Sequence, residues 1–251
     1  MVTTPQARWK VTCAYDGSSF AGWQSQRTRN AVQDLIEARL LTLTQIPIRI
    51  HGSGRTDAGV HALGQVFHFD SHWKHGGAKL KTALRVGLPP TIQIKSVVRV
   101  APDFHARFSA VGKRYSYRIF EGVADPFIHP YVLSRDRPQR LNLAAMKRGA
   151  ACLKGRHDFR AFAADNGAEL EDSVRDVSRI SIVPKGRSIK LVFEANGFLY
   201  KMVRSLTGAL IAVGDGKLEI DELVRIRDAG ERTEVVETAP AQGLFLERVF
   251  Y

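Results

Sequence analysis

The chain has 251 residues, 44% of them hydrophobic, and carries 37 lysine and arginine residues against 25 acidic residues. A chain of this length and apolar content can build one large domain or two smaller ones, each with its own core, which excludes a disordered protein. The formal net charge of +12 predicts nucleic acid as the partner. The two cysteines lie far apart in the sequence, which excludes a disulfide framework and a cysteine-based zinc site.

The sequence predicts a soluble, cytoplasmic protein that does not enter a membrane. Its first ten residues lack the apolar stretch of a secretion signal, and nowhere do eighteen apolar residues follow one another. Three histidines, His68, His72 and His75, have a spacing that could suit a metal ion. Because Asp70 is the one acidic residue among them and no cysteine is close, we predict no metal site.

The first half of the chain predicts the order strand, helix, strand, strand, helix, strand. The initial strand alternates between apolar and polar side chains from Trp9 to Tyr15. Asn30 is expected to cap the first helix, with Gln33 as its capping-box partner. The predicted elements are a strand over residues 9–15, a helix over 32–43, strands over 46–50 and 66–69, a helix over 80–86 and a strand over 92–100.

The second half repeats this order. It predicts a strand over residues 113–120, a helix over 141–153, a strand pair over 174–183 and 189–195, helices over 198–213 and up to Gly230, and a strand over 244–250. We therefore predict an α+β fold of two tandem βαββαβ units, ferredoxin-like or RRM-like, with domains at residues 1–105 and 106–251. The two units are expected to form a continuous, mostly antiparallel sheet with helices on one side and a central cleft.

The run from Gly52 to Ala62, GSGRTDAGVHA, places the carboxylate of Asp57 among glycines and small residues, with Arg55 two positions before it. Such a loop brings backbone close to a ligand and leaves Asp57 accessible as a nucleophile or a base. The glycine spacing fits neither a Walker phosphate loop nor the dinucleotide-binding fingerprint. A solvent loop without chemistry is the alternative interpretation of this segment taken alone.

The positive charge is concentrated in residues 107–160, which contain 12 basic and 4 acidic residues. Basic and aromatic side chains follow one another there, as in Lys113, Arg114 and Tyr115. This composition is typical of a phosphate-binding surface with rings for base stacking, so we predict that the second domain carries the RNA-binding surface. The alternatives are a solvated charged face and, for one of Tyr115 and Tyr117, a place in the core.

A candidate partner for the Asp57 carboxylate lies in the helix predicted over residues 198–213. Arg204 is outside the stripe of this helix that is expected to face the core. If the two halves pack over a cleft, Arg204 could reach across it and hold Asp57 ionised and oriented. An ordinary exposed arginine is the alternative. Near the chain end, residues 239–246 could supply an apolar wall or simply a buried last strand.

Together these segments resemble the TruA-type tRNA pseudouridine synthase family. The match runs in family order from Tyr15 to Leu246, and the run RTDAGVH around Asp57 is its most specific part. The other matching segments are YDG at 15–17, GWQSQ at 22–26, KRYSY at 113–117, HDFRAF at 157–162, FLYKMVR at 198–204 and GLFL at 243–246.

The resemblance implies an isomerase that converts uridine to pseudouridine in the anticodon stem-loop of tRNA, at positions 38–40, without a cofactor. Asp57 would be the nucleophile, adding to C6 of the base or to C1′ of the ribose of a flipped-out uridine. Arg204 would pair with Asp57, and Tyr115 would pack against the base and is a candidate for taking the C5 proton. Leu246 would close the apolar pocket, and Arg55 would contact the RNA or replace the extruded base. The family also implies a homodimer on tRNA, with no DNA partner.

Two other functions compete with this interpretation. A non-catalytic tRNA-binding protein or RNA chaperone would share the charge and the fold, but the intact Asp57 argues against it. A glycosidase-like hydrolase of nucleosides is disfavoured because no second carboxylate lies near the motif to serve as its acid. Lys201, Ser205 and Phe245 depart from residues that are common in the family, and none of these departures removes a proposed catalytic group.

Overall fold

The structure, a computed structural model, describes residues 6–165, 167 and 172–251. The described chain divides into two compact units. The first comprises residues up to 111 together with 245–251, and the second comprises residues 112–244. Each unit combines helices with a β-sheet, which confirms the predicted α+β class. Within the described ranges, no helix is both long enough and apolar enough to cross a membrane.

The first unit is built on a sheet that contains both ends of the described chain. Its elements are β1 (Ala7–Tyr15), α1 (Val32–Thr44), β2 (His51–Gly52), β3 (His61–Ser71), α2 (Gly77–Arg85), β4 (Ile92–Val100) and β11 (Leu244–Phe250). β1 pairs antiparallel with β3 on one side and with β4 on the other. β11 pairs parallel with the start of β3, where Leu246 lies opposite Ala62. β2 pairs antiparallel with β3 near its far end, where His51 lies opposite His68.

The face of β1 that the sequence predicts to be apolar is the core face of the first unit. Residues Trp9 to Tyr15 alternate between buried and half-buried positions, as the period of two requires. α2 packs on the buried face, since its first residue, Gly77, lies close to the ring of Trp9. α1 lies beside α2, because the guanidinium of Arg39 donates hydrogen bonds to the carbonyl of Ala83 (2.7 and 3.0 Å).

The strand predicted over residues 46–50 is wrong, because strand pairing begins at His51 and covers two residues. Pro47 has no N–H to contribute to a ladder, and Ile46 is 54% exposed and so does not pack in the core. The alternation of isoleucines in this segment is therefore not the sign of a strand with one buried face.

The start of α1 is held differently from the predicted capping box. The carboxylate of Asp34 accepts the N–H of Ala31 (3.0 Å), whereas the side chain of Asn30 donates to a carbonyl of the preceding loop (3.0 Å). Gln33 is buried, and its side-chain carbonyl accepts the N–H of Ser25 (3.0 Å). Gln33 thus ties the preceding loop to the helix and cannot serve as a capping partner of Asn30.

The second unit has a sheet in the order β9-β10-β5 and a separate strand pair. Its elements are β5 (Gly112–Glu121), β6 (Leu133–Arg135), α3 (Leu143–Cys152), β7 (Gly155–Asp158), β8 (Val174–Val177), β9 (Arg179–Lys185), β10 (Ser188–Ala195), α4 (Met202–Gly214) and α5 (Ile220–Ala229). β10 pairs antiparallel with β5 and β9, and β6 pairs parallel with β5. β7 and β8 form a two-stranded sheet of their own.

Two elements of the second unit differ from their predicted bounds. The helix predicted from residue 198 begins at Met202, because Lys201 has a left-handed backbone with φ of +57° and interrupts any earlier helical turn. The strand predicted over residues 174–183 consists of β8 and β9, which pair with different neighbours, β7 and β10.

The last strand belongs to the first unit. Pairing with β3 brings residues 245–251 into that unit, although the prediction assigned the whole of 106–251 to the second domain. At the other junction, the N–H of Ala106 donates to Nδ1 of His68 (3.1 Å), which keeps the start of the connecting segment in the first unit. The compact units therefore differ from the predicted domains at both junctions, and the continuous sheet and the central cleft stay predictions.

Candidate active site

The loop after β2 holds Asp57 on a framework of hydrogen bonds within the first unit. The carbonyl of Thr56 accepts the N–H of Trp23 (3.1 Å), and its hydroxyl is hydrogen bonded to the hydroxyl of Tyr15 (2.8 Å). The carbonyl of Asp57 accepts the N–H of Val60 (3.1 Å), which closes a turn. Asp57 is half-buried and follows directly on the buried Thr56, so the backbone that carries the carboxylate is fixed on both sides.

The first residues of the loop are anchored to a buried amide on β3. The hydroxyl of Ser53 donates to the side-chain carbonyl of Gln65 (2.7 Å), and the Gln65 amide donates to the carbonyl of Gly54 (3.0 Å). Ser53 and Gln65 are fully buried, so these bonds satisfy polar groups that water cannot reach. Arg55, the next residue, is exposed, as expected for a side chain that contacts a ligand outside the protein.

Two glycines let neighbouring backbone approach the Asp57 loop. Gly22 has φ of +95°, and a Cβ atom there would lie 2.5 Å from the carbonyl oxygen of Thr56 and 3.1 Å from the nitrogen of Ala58. A Cβ atom on Gly17 would lie 2.1 Å from the carbonyl oxygen of Val60. Both glycines belong to segments that match the family, and the structure supplies the physical reason for them.

The loop ends where β3 meets the last strand of the chain. His61 and Ala62 lie opposite Phe245 and Leu246. The rings of His61 and Phe245 stack with centroids 4.6 Å apart, and the N–H of Gly17 donates to Nδ1 of His61 (3.0 Å). Leu246 is 1% exposed. The structure therefore brings Asp57, Arg55 and Leu246 into one unit, with Leu246 beside the residue where the loop joins β3.

Tyr115, Lys113 and Arg114 lie together on β5 of the second unit. Tyr115 is almost fully buried, and its ring meets that of Phe198 edge to face with centroids 5.2 Å apart. Lys113 and Arg114 are half-buried, and Nε of Arg114 donates to the carboxylate of Glu194 (2.9 Å). The orientation of the Tyr115 ring is thus set by its packing, and part of the Arg114 charge is compensated locally.

Arg204 is fixed by backbone at the start of α4. Its Nε donates to the carbonyl of Ala239 (2.7 Å), and its own carbonyl accepts the N–H of Ala239 (3.1 Å). Arg204 is half-buried. Two reciprocal bonds to one residue fix both the backbone and the guanidinium plane, so Arg204 is not the ordinary exposed arginine of the alternative interpretation.

Tyr117 is the more deeply buried member of the tyrosine pair. It is fully buried, and its hydroxyl donates to the carbonyl of Pro240 (2.8 Å). Burial raises the pKa of the Tyr117 phenol, and the positive charge of Arg204 lowers it by a smaller amount. A Cβ atom on Gly243 would lie 2.7 Å from the Tyr117 ring, which explains glycine at the start of the GLFL segment. Tyr117 therefore has a structural role, which leaves Tyr115 as the candidate site residue.

The basic run at 107–160 includes both paired and exposed charges. Arg135 is buried and pairs with Asp215, and Arg160 pairs with Asp158 (2.8 Å). Other basic side chains of the run are exposed: Arg140, Lys147, Arg148, Lys154 and Arg156. The second unit thus presents positive charge to solvent along α3 and its flanks, and binding of RNA to this surface stays a prediction.

Sequence reasoning missed one residue that supports the site, Arg232. Its guanidinium donates to the hydroxyls of Ser205 and Thr238 (both 2.9 Å) and to the carbonyl of Val236 (2.6 Å). These bonds hold the segment that leads to Ala239 against α4. Arg232 lies in a polar stretch without periodicity, so the sequence carries no signal for it. Ser205, which departs from the residue common in the family, is one of its partners.

The histidines of the first unit group differently from the spacing noted in the sequence. The ring of His68 lies 5.1 Å from that of His51 and 4.6 Å from that of His105, measured between centroids. Burial, and then the charges of His105, His51 and Arg8, lower the pKa of His68 to about 4. His68 is therefore neutral at pH 7. In the described part of the chain, no three His, Cys, Asp or Glu side chains are grouped so that they could hold a metal ion.

Comparison with known proteins identifies the family. A family model described as tRNA pseudouridine synthase matches residues 12–109 and 150–251. The tRNA pseudouridine synthase A of Limosilactobacillus fermentum is 40% identical over 250 residues, which cover 97% of this chain and 96% of the relative. That of Solidesulfovibrio magneticus is 42% identical over 252 residues, which cover 98% and 91%. The chain belongs to the tRNA pseudouridine synthase family.

Family membership confirms the predicted family and the predicted enzyme class, an isomerase of the tRNA pseudouridine synthase type. It also decides between the two leading interpretations of the sequence, in favour of the enzyme and against a non-catalytic tRNA-binding protein. The roles of individual residues, the anticodon-arm target, the homodimer and the cytoplasmic location stay predictions.

Proposed function

We propose that the protein isomerises uridine to pseudouridine in the anticodon arm of tRNA, at positions 38–40, with Asp57 as the nucleophile. The observation that supports this role is the position of Asp57, half-buried in a loop that hydrogen bonds and close glycine contacts hold on both sides. A carboxylate oxygen is a nucleophile that can form a covalent intermediate with the substrate. A fixed backbone places it reproducibly for that attack.

The reaction balances without a cofactor. The bond from C1′ of the ribose to N1 breaks, the base turns, and a new bond forms from C1′ to C5. The proton on C5 leaves and N1 gains one, so no electrons are gained or lost and no water is consumed. Asp57 starts this sequence by adding to C6 of the base or to C1′ of the ribose, and it is released at the end. The target uridine must leave its stack to reach the carboxylate.

The second unit supplies the remaining groups of the proposal. Arg204 pairs with Asp57 and keeps it ionised, a role supported by the two bonds that hold Arg204 to Ala239. Tyr115 packs against the flipped base and is the candidate acceptor of the C5 proton, which its fixed ring supports. Leu246 of the first unit closes the apolar side of the pocket, supported by its complete burial at the end of the Asp57 loop.

RNA is held by basic side chains near these groups. Arg55 is exposed in the Asp57 loop itself and contacts the RNA or fills the space of the extruded base. Lys113 and Arg114 directly precede Tyr115 on β5 and bind phosphate. We further propose that the enzyme acts in the cytoplasm as a homodimer, because a single protomer of this size would struggle to span an L-shaped tRNA.

The decisive experiment uses unmodified tRNA transcript and maps pseudouridine by carbodiimide-dependent stops of reverse transcriptase. The parent protein is expected to produce stops at positions 38–40. Asp57→Asn should lower kcat/KM by at least about 1,000-fold while binding tRNA within a few-fold of the parent. Asp103→Asn, which changes an exposed carboxylate of the same unit, is the matched control and should retain activity. Equal stops from Asp57→Asn and from the parent would remove Asp57 from its role.

A further inference from the structure

A concave site lies in the first unit beside the far end of β3. It is a cavity of about 560 Å³ between residues 43–49, at the end of α1 and after it, and residues 71–75, at the end of β3 and after it. His51 and His68 form part of its wall where β2 pairs with β3. Cavities of this volume accommodate small organic groups.

The cavity is far from the proposed reaction centre along one strand. The Asp57 loop joins β3 at His61, whereas the cavity is lined by Asp70 and Ser71 at the other end of that strand. A strand rises about 3.3 Å per residue, so His61 and Asp70, nine residues apart on β3, are separated by about 30 Å. The cavity therefore does not serve as part of the pocket for the reacting uridine.

Apolar and aromatic side chains form one part of the lining. Ile46, Pro47 and Ile48 contribute from the segment after α1, and Phe69 and Trp73 contribute from β3 and the residues beyond it. Trp73 is half-buried, and His75 packs against its ring at a centroid distance of 5.4 Å. An indole held by its neighbours in an open cavity is a platform on which a nucleic-acid base can stack.

Positively charged side chains form the other part of the cavity lining. Arg49 and Lys74 line the cavity and are exposed. Among the described lining residues Asp70 is the one carboxylate, and Arg8 holds it with two bonds (2.6 and 2.7 Å), which compensates its charge. Arg49 lies 3.3 Å from Glu37, a partly exposed contact that leaves the arginine available for exchange. The field at the mouth is therefore positive.

We propose that this cavity binds one nucleotide of the tRNA substrate outside the target uridine, with its base on Trp73 and its phosphate at Arg49 and Lys74. An apolar floor beside a cationic rim matches the chemistry of a nucleotide, whose base is apolar on its faces and whose phosphate is anionic. The inference rests on the proposed function, because it takes tRNA as the ligand. It adds a second contact, toward the far end of β3, that fixes the register of the RNA on the first unit.

The test measures tRNA binding by filter retention at several salt concentrations, together with kcat and KM for pseudouridine formation. Trp73→Ala is expected to raise Kd and KM for tRNA roughly 5- to 100-fold through loss of one stacked base, with kcat unchanged at saturating tRNA. Trp73→Phe keeps a ring and should bind within about 3-fold of the parent. Lys74→Ala should lower the slope of log Kd against log salt by about 1.

Arg85→Ala is the matched control, since Arg85 is an exposed basic residue at the end of α2 and outside the cavity. It should leave Kd unchanged. Circular dichroism and thermal melting establish that Trp73→Ala is folded, and rescue by Trp73→Phe establishes that the ring is what matters.

Several outcomes would overturn the inference. Unchanged Kd and salt slope in Trp73→Ala and Lys74→Ala, with a parent that makes pseudouridine, would reject the cavity and leave the proposed function intact. An equal loss in Arg85→Ala would show a general charge effect. Conversion of a dimer to monomers by Trp73→Ala, seen by light scattering without a change in tRNA affinity, would assign this face to contact between copies of the chain. Failure of the parent to form pseudouridine would instead reject the proposed function.

Discussion

The loop of Asp57 and the start of α4 at Arg204 both present a charged side chain from a fixed backbone, but the two are fixed by different means. Around Asp57, glycines at positions 17 and 22 allow main chain to touch main chain, and a residue with a Cβ atom does not fit. Around Arg204, bonds to the backbone of Ala239 are reinforced by a side chain, Arg232, which binds the segment that holds Arg204. The first arrangement tolerates almost no substitution, whereas the second can be loosened one bond at a time.

Among substitutions that test how the two regions are held, the largest effect is expected from Gly22→Ala. The new Cβ atom would meet the backbone of Thr56 and Ala58, so the Asp57 loop must move, and kcat/KM should fall roughly 100-fold. Gly87→Ala is the matched control, because Gly87 has nearly the same φ, +93°, and a Cβ atom there would meet the flexible end of Arg39. Both variants should lose about 1–2 kcal/mol of stability from the left-handed backbone.

Measurements of pseudouridine formation and of thermal unfolding on both glycine variants separate the effect of the backbone clash from the cost of the left-handed backbone. If Gly22→Ala and Gly87→Ala lost activity in equal measure, backbone contact at the Asp57 loop would not be what positions the carboxylate.

The next effect is a loss of stability at low pH, which arises in β3, the strand that follows the Asp57 loop. His68 on β3 has its pKa lowered to about 4 by burial and neighbouring positive charge, whereas an unfolded histidine titrates near 6.5. Between these values the unfolded chain binds more protons, so stability decreases as the pH falls. From pH 7.5 to pH 5 the free energy of unfolding should drop by about 2 kcal/mol.

Denaturant unfolding at a series of pH values measures this loss. His68→Gln, which removes the titrating group, should flatten the dependence, and His129→Gln, at an exposed position of the second unit, should leave it as in the parent. A pH dependence that survives in His68→Gln would assign the loss to other groups. Hydrogen exchange should show that the loss of stability at low pH is in β1 and β3, two strands of the unit that carries Asp57.

A smaller effect is expected on the Arg204 side. Arg232→Ala removes the bonds to Ser205, Thr238 and Val236, which loosens the segment that holds Arg204. We expect kcat to fall about 10-fold with little change in KM, since Arg232 acts through Arg204 and does not bind the RNA. Arg225→Ala, on the exposed face of α5, is the control and should have no effect. A rise in KM alone would identify Arg232 as an RNA contact.

The smallest effect should come from Tyr15→Phe. This change removes the hydrogen bond between the buried hydroxyls of Tyr15 and Thr56 and leaves the ring in place. We expect a loss of about 1 kcal/mol in stability and a decrease of only a few-fold in kcat/KM, because backbone contacts continue to hold the loop. A loss of activity as large as that of Gly22→Ala would show that side chains, and not backbone packing, fix the Asp57 loop.

The sequence predicts well what depends on local pattern. β4 and β11 have the predicted bounds, because alternating burial on one face of a sheet is a property of the segment itself. Residues 46–50 have the same alternation without a pairing partner, so pattern alone fails there. The membership of β11 in the first unit is a matter of long-range pairing, which no local signal specifies.

The residues of the candidate site likewise divide into those that the sequence indicates and those that only the folded chain shows. Asp57 stands out because its loop has an unusual composition, and Tyr115 and Arg204 enter through resemblance to a family. Arg232 lies in a polar stretch without periodicity and binds partners that are 4 to 69 positions away in sequence. The cavity beside Trp73 combines segments before and after β3 and so requires the folded chain. The spacing of His68, His72 and His75 in the sequence suggests that these three side chains form a cluster. The fold does not bring them together in this way, because His68 packs with His51 and His105 instead.

The pairing of β11 with β3 has a consequence for synthesis on the ribosome. The second unit is an insertion between β4 and β11 of the first, so about 130 residues must be translated before the sheet of the first unit can be completed. At 5–20 residues per second this takes roughly 7 to 26 s. β11, which follows the second unit in the chain, lies against His61 and Ala62 at the end of the Asp57 loop. A nascent chain therefore cannot pack the end of its Asp57 loop against Leu246 until translation has passed that residue, so this part of the candidate site is completed only after the second unit has been synthesised.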